Sequence, residues 1–136
     1  MKFYMAAANL LLADDDDNDV LLLKEAFSVV NCDFQLTRVS DGDAVLALFR
    51  DGAPAPAVNL IVLDYYLPRR NGAQVAEQLH QWGVLPKIPV VILSSHLSAE
   101  ECRRLGRLGV AMVGEKPGDF DGLCALAREL VQLASA

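Results

Sequence analysis

Five residues at four sites in this chain carry side chains that could act together on an anionic group. They are the acid pair Asp14-Asp15, the single acid Asp64, the hydroxyl of Ser94 and the ammonium of Lys116. Asp64 closes the run Asn59-Leu60-Ile61-Val62-Leu63. A near-continuous apolar run of this length fits a strand buried on both faces. An ionised carboxylate is costly inside such a strand, so Asp64 belongs at its carboxyl end, where the sheet opens to water. Pro68 cannot continue a central strand and shapes a loop, and Asn71-Gly72 starts a helix with Asn71 as its cap. Taken singly, each of these residues has an ordinary reading. An acid after a strand is usually a loop residue or a cap, a serine there usually a cap, and a loop lysine usually solvated. Their chemistry depends on whether the fold brings them together.

The pattern of the chain supplies that fold. Strand and helix signals alternate from end to end. Strands are expected at residues 9–13, 34–39, 59–63, 89–93 and 110–113. Helix one starts near Asp17 with Val20, Leu23, Phe27 and Val30 on one face. Ser40-Asp41 caps helix two, with Val45, Leu48 and Phe49 inward, and residues 51–56 form a loop. Helix three carries Val75, Ala76, Leu79 and Trp82, with Trp82 expected core or half-buried at its end. Helix four spans 98–108, and helix five spans 118–134 with Leu123, Leu126, Leu130 and Leu133 buried. Five strands alternating with five helices predict an α/β fold, a (βα)5 doubly wound parallel sheet with helices on both faces. Strands one, three and four are the most continuously apolar and belong in the centre. The alternating strand two and the short strand five belong at the edges. The flavodoxin-like order 2-1-3-4-5 satisfies both demands.

In that order the switch point lies between strands one and three, just past Ala13 and Leu63. Asp14, Asp15 and Asp64 then converge. Three carboxylates so close need a cation, or one of them must take up a proton. A cluster of carboxylate oxygens suits a hard ion with open coordination, Mg2+. Ser94 and Lys116 lie on the same rim and add two donors for an anionic group on Asp64. Asp16, Asp17 and Asp19 read as solvated loop residues and helix caps.

Composition narrows the function. One domain over residues 1–136 is long enough for a sizeable core, and 53% hydrophobic with 22% charged residues is globular. A net charge of −6 argues against a nucleic acid partner. Arg103, Arg104 and Arg107 read as a solvated helix face. Cys32, Cys102 and Cys124 have no short-spaced pairing and suit reduced thiols in the cytoplasm. The opening Met1-Lys2 and its apolar run lead directly into four aspartates, which argues against a signal peptide, and no apolar run reaches a membrane span. His80 and His96 read as surface residues.

Asp14-Asp15 after strand one, Asp64 with Pro68 and Gly72 beyond it, Ser94 and Lys116-Pro117 together resemble the receiver domain of two-component response regulators, over essentially the whole chain. The resemblance implies a stand-alone phosphoacceptor. Asp64 would take a phosphoryl group from a sensor histidine kinase, with Ser94 and Lys116 contacting it. Mg2+ would lie on Asp15, Asp64 and the backbone carbonyl of Tyr66, with Asp14 acting through water. The Lys116-Pro117 bond would be cis. The spacing DYYLPRRNG and the start of helix one look similar to regulators paired with phytochrome-type kinases. The position three before Lys116, usually aromatic in that family, is Val113, so output is expected through backbone movement or a dimer interface of helix four, strand five and helix five. Tyr66 is larger than the residues usual at its position and is expected to slow dephosphorylation. Two alternatives are a receiver-fold binding module that is never phosphorylated and a haloacid dehalogenase-like phosphatase. The second needs an acid where Tyr66 stands. A transcription factor is disfavoured because no second domain follows Ala136.

Overall fold

The structure is a computed structural model that describes residues 8–30, 34–52, 54 and 57–135. The elements are β1 (Ala8–Ala13), α1 (Asp17–Val29), β2 (Phe34–Val39), α2 (Gly42–Phe49), β3 (Leu60–Asp64), α3 (Gly72–Gln81), β4 (Val90–Ser94), α4 (Ala99–Arg107), β5 (Met112–Glu115) and α5 (Phe120–Ser135). The strands form one parallel sheet in the order β2-β1-β3-β4-β5.

Alternate residues of each central strand feed opposite cores. Leu11, Ile61, Leu63 and Ile92 meet α2, α3 and α4, where Val45, Leu79 and Leu105 are fully enclosed. Leu10, Leu12, Val62 and Val91 meet α1 and α5, where Phe27, Ala127 and Leu130 pack. Every residue of β3 and β4 is buried, as their continuous apolar character demands. The edge strand β2 alternates between half-buried and exposed positions.

The helix starts are set by local chemistry. Asp16, Asp41, Asn71 and Ser98 cap α1 to α4 through side-chain oxygens that accept backbone amides. Asn71 and Gln74 form a reciprocal capping box, each side chain 2.9 Å from the other's amide.

Several expectations need correction. Leu48 is exposed and Leu46 is buried, because α2 begins at Gly42 and the stripe 42-45-46-49 faces the sheet. Trp82 lies outward, because the chain folds back at the end of α3 and Leu85 fills the space beneath. β5 begins two residues later than expected. Gly109 (φ 93°) ends α4, and the Val110 amide still bonds back to Leu105. Pairing then continues through Gly114 and Glu115 opposite Leu93 and Ser94. Arg104 is not merely solvated, since it bridges Glu77 of α3 and Glu101. The cis proline bond is Leu85–Pro86, whereas Lys116–Pro117 is trans and its lysine reaches the acids in that form. Cys102 and Cys124 are free thiols; Cys32 and part of the 51–56 loop lie outside the described residues. Among the described residues no helix is long and apolar enough to cross a membrane.

One flank of the sheet top is tightly fitted. The Gly42 amide bonds the Pro68 carbonyl at 3.3 Å, and a Cβ on Gly42 would lie 2.3 Å from the Arg70 carbonyl oxygen. A Cβ on Gly72 would lie 3.1 Å from the Asp64 carbonyl oxygen. The β3–α3 loop is thereby clamped between α2 and the end of β3.

Candidate functional site at the carboxyl ends of the strands

The sheet ladder itself delivers the site residues to one rim. Ala13 pairs with Leu63, so the residues that follow, Asp14 and Asp64, emerge side by side. The Asp14 amide still bonds Val39 of β2 at 3.1 Å, which fixes its backbone as an extension of the ladder. The Lys116 amide bonds the Ser94 carbonyl at 2.9 Å and extends β5 along β4 in the same way. Strand ends position all four side chains, which gives the arrangement rigidity.

Asp14, Asp64 and Ser94 are the buried polar side chains of the described residues, and Asp15 is exposed. The ammonium of Lys116 reaches across the rim. Its Nζ donates to Asp64 Oδ2 at 3.0 Å, Asp19 Oδ2 at 3.0 Å and Asp14 Oδ2 at 3.3 Å. Burial works against that charge, but the hydrogen bonds it donates to Asp64 and Asp19 and the charge of Asp14 outweigh it and hold the lysine well above its ordinary range. Lys116 is therefore charged at any working pH.

Asp14 shows the opposite strain. Burial raises its pKa above the ordinary carboxylate value, the Asp16 amide and Lys116 pull it down, and Asp64 and Asp19 push it up. A carboxylate raised in the folded state contributes stability at pH below its unfolded value and loses it as pH climbs through the folded value. At neutral pH in metal-free buffer Asp14 is thus a net cost. Asp14→Asn is expected to stabilise the metal-free protein by about 1 kcal/mol at pH 7, the scale of other single-site charge improvements. The gain should shrink as pH falls toward 4, and denaturant melts at several pH values check this. No gain at pH 7 would mean that Lys116 already offsets the burial.

Carboxylate oxygens of Asp14, Asp15 and Asp64 lie within 4.8 Å of one another. Three hard anionic oxygens at this spacing suit a divalent cation of the Mg2+ or Mn2+ type, and the opening toward Asp15 leaves room for water ligands. The residues present fit such an ion.

Ser94 does not face an empty space. Its hydroxyl donates to the His96 carbonyl at 3.1 Å and accepts from the His96 amide at 3.2 Å. Tyr66 reaches the same carbonyl, its hydroxyl donating at 3.5 Å, while its own amide donates to Asp64 Oδ1 at 3.2 Å. Its ring meets Tyr65 edge-on with centroids 4.9 Å apart. Tyr66 is 60% exposed and forms an arch from the end of β3 to the loop after β4. Val113 is half-buried against the core beneath α3 and α4 and pairs with Ile92, so an aliphatic side chain stands at that position of the edge strand.

Four of the expected residues, Asp14, Asp15, Asp64 and Lys116, come together directly. Ser94 stands beside them but is turned to its own loop. Asp19, read from the sequence as a solvated cap, is part of the site through Lys116. The backbone of His96 is the other missed participant, and a main-chain carbonyl leaves no trace in sequence.

Comparison with known proteins agrees with this architecture. Response regulator Rcp1 of Synechocystis sp. is 33% identical over 80 residues, which cover 57% of this chain and 54% of Rcp1. The aligned stretch thus spans about half the length of that relative. The structure of the Mn2+-bound form of Rcp1 superposes with a TM-score of 0.78 at 26% identity, covering 90% of both chains. The response regulator RPA3017, in red light signaling of R. palustris, superposes with a TM-score of 0.79 at 27% identity, again over 90% of both chains. The family described as the response regulator receiver domain matches residues 10–128. With its strand order, its rim of acids and its lysine accounted for, the chain belongs to the response regulator receiver domain family.

Proposed function

We propose that this protein is a phosphoacceptor in two-component signalling, with Asp64 as the residue phosphorylated by a sensor histidine kinase. The observation that carries the reading is Lys116 Nζ at 3.0 Å from Asp64 Oδ2, beside a carboxylate cluster suited to a divalent cation. A carboxylate oxygen of Asp64 attacks the phosphorus of a phosphohistidine. The P–N bond breaks, its electron pair stays on the imidazole, and an aspartyl phosphate remains. Lys116 follows the charge on the transferred oxygens, because its ammonium already touches the acceptor. Asp14, Asp15, Asp64 and the Tyr66 carbonyl would hold Mg2+, which when bound neutralises part of the same charge. Ser94 exchanges the His96 carbonyl for the new phosphoryl group, and the loop after β4 moves with it.

Output then passes through α4, β5 and α5, by contact with a target or with a second copy of the chain. The similarity to RPA3017, a response regulator in red light signaling, supports a light-responsive kinase of the phytochrome type as the partner. We read the chain as one receiver domain working in the cytoplasm, catalysing only its own phosphorylation and dephosphorylation. Nothing in its acidic surface suits nucleic acid. The phosphatase alternative fails at Tyr66, which occupies the place of its second acid.

The test is intact mass after incubation with acetyl phosphate and Mg2+. Wild type should gain one phosphoryl group and Asp64→Asn none. Absence of any gain, with divalent binding measured separately, would favour a binding module that keeps the fold without the chemistry.

A further inference from the structure

We propose that Asp19 is a positioning residue that anchors the Lys116 ammonium on the α1 side of the site, so that the lysine stays in place when its other two partners are drawn to a cation. The inference rests on the phosphoacceptor reading above. All three ammonium hydrogens of Lys116 have carboxylate partners. Two of these partners, Asp14 and Asp64, also belong to the carboxylate cluster; Asp19 does not. A divalent cation in the cluster would compete with Lys116 for Asp14 and Asp64 and leave Asp19 uncontested.

Asp19 is well held for that task. It lies in the first turn of α1, where Asp16 caps its amide at 3.1 Å, and an acid there is favoured by the helix dipole. The pair lines a hollow of about 210 Å3 whose other walls include Leu12, Leu22, Leu93 and Phe120. Apolar walls back the pair on the protein side, while the Asp19 side chain stays 44% exposed on the other. The charge of Asp19 also offsets the repulsion between the ammonium and a nearby cation. Without this anchor Lys116 would swing from the cation toward solvent, since its side chain is 27% exposed.

The experiment is a double-mutant cycle on the full chain with a second readout that does not depend on phosphorylation. At saturating Mg2+, Asp19→Asn should slow phosphorylation by acetyl phosphate about fivefold, a modest fraction of what a direct contact to the reacting group supplies. In a Lys116→Gln background the same change should do nothing further. In Mg2+-bound protein, the Lys116 ammonium signal in nitrogen-15 NMR should be protected from solvent exchange, and Asp19→Asn should remove that protection; in metal-free protein Asp14 and Asp64 still hold the lysine, so the same change should cost little. A fivefold loss that persists in the Lys116→Gln background would overturn the proposal, because Asp19 would then act independently of the lysine. Unchanged protection in Mg2+-bound Asp19→Asn would overturn it as well. If wild type takes up no phosphoryl group, the phosphoacceptor reading fails, and the ammonium signal of the Mg2+-bound protein decides the role of Asp19 alone.

Discussion

Lys116→Met slows phosphoryl uptake by Asp64 about 10²–10³-fold, the usual cost of losing one preorganised donor to developing charge. The same variant loses stability in metal-free buffer. Asp14 and Asp64 are buried carboxylates, and each accepts a hydrogen bond from this one ammonium. Removing the donor leaves both without their countercharge, which costs about 1–3 kcal/mol. Added Mg2+ should return most of that loss, because a cation would supply the missing positive charge to the same oxygens. Denaturant melts in EDTA and in Mg2+, run beside acetyl phosphate kinetics, measure both effects. A stability loss of equal size in the two buffers would show that the lysine holds the fold by packing alone, since its charge would then be irrelevant to the acids.

Tyr66→Asn shortens the lifetime of the aspartyl phosphate about tenfold, the scale on which restricting water access changes hydrolysis. The tyrosine starts from the residue two after Asp64 and ends on the His96 carbonyl, so its ring covers the approach between the two loops. Asparagine keeps the amide that bonds Asp64 but cannot form that cover. Tyr66→Phe separates the causes, because it retains the ring and drops only the long contact to His96. If bulk governs access, the Phe variant should lose phosphate at the wild-type rate. Decay of the phosphorylated mass after removal of acetyl phosphate gives the lifetimes, and an Asn variant no faster than wild type would remove Tyr66 from dephosphorylation.

The architecture was legible in the sequence because its signals were redundant. The unbroken runs of β3 and β4, the alternation of β2 and the caps Asp41 and Asn71 each pointed to the same sheet. Asp14, Asp15, Asp64 and Lys116 were legible for a related reason. The ends of neighbouring parallel strands must meet, so a correct strand order places their residues without further knowledge. Asp19 was not legible, because an acid in a first helical turn already has a sufficient cause in the helix dipole. Its distance from Lys116 depends on how α1 leans on the sheet, and periodicity carries no such information. Leu48 and Trp82 were misplaced where one apolar residue too many competed for a helix face. The late start of β5 has another origin. Pairing on an edge strand is a property of the backbone, and Gly114-Glu115 extends it despite an unfavourable composition.

The fit of Gly42 against Arg70 has a consequence for where a partner can sit. With the Pro68–Arg70 turn locked to α2, the β3 flank cannot yield when a phosphoryl group arrives. The opposite flank is held by two hydroxyls on a single carbonyl of His96, and one of these must leave. Under the proposed phosphorylation, displacement is expected to run one way, toward α4, which would give the molecule a silent half and a reporting half. A protein bound over α2 and α3 could remain attached through the whole cycle without sensing it, while one bound at α4 would be gripped or released with every turnover.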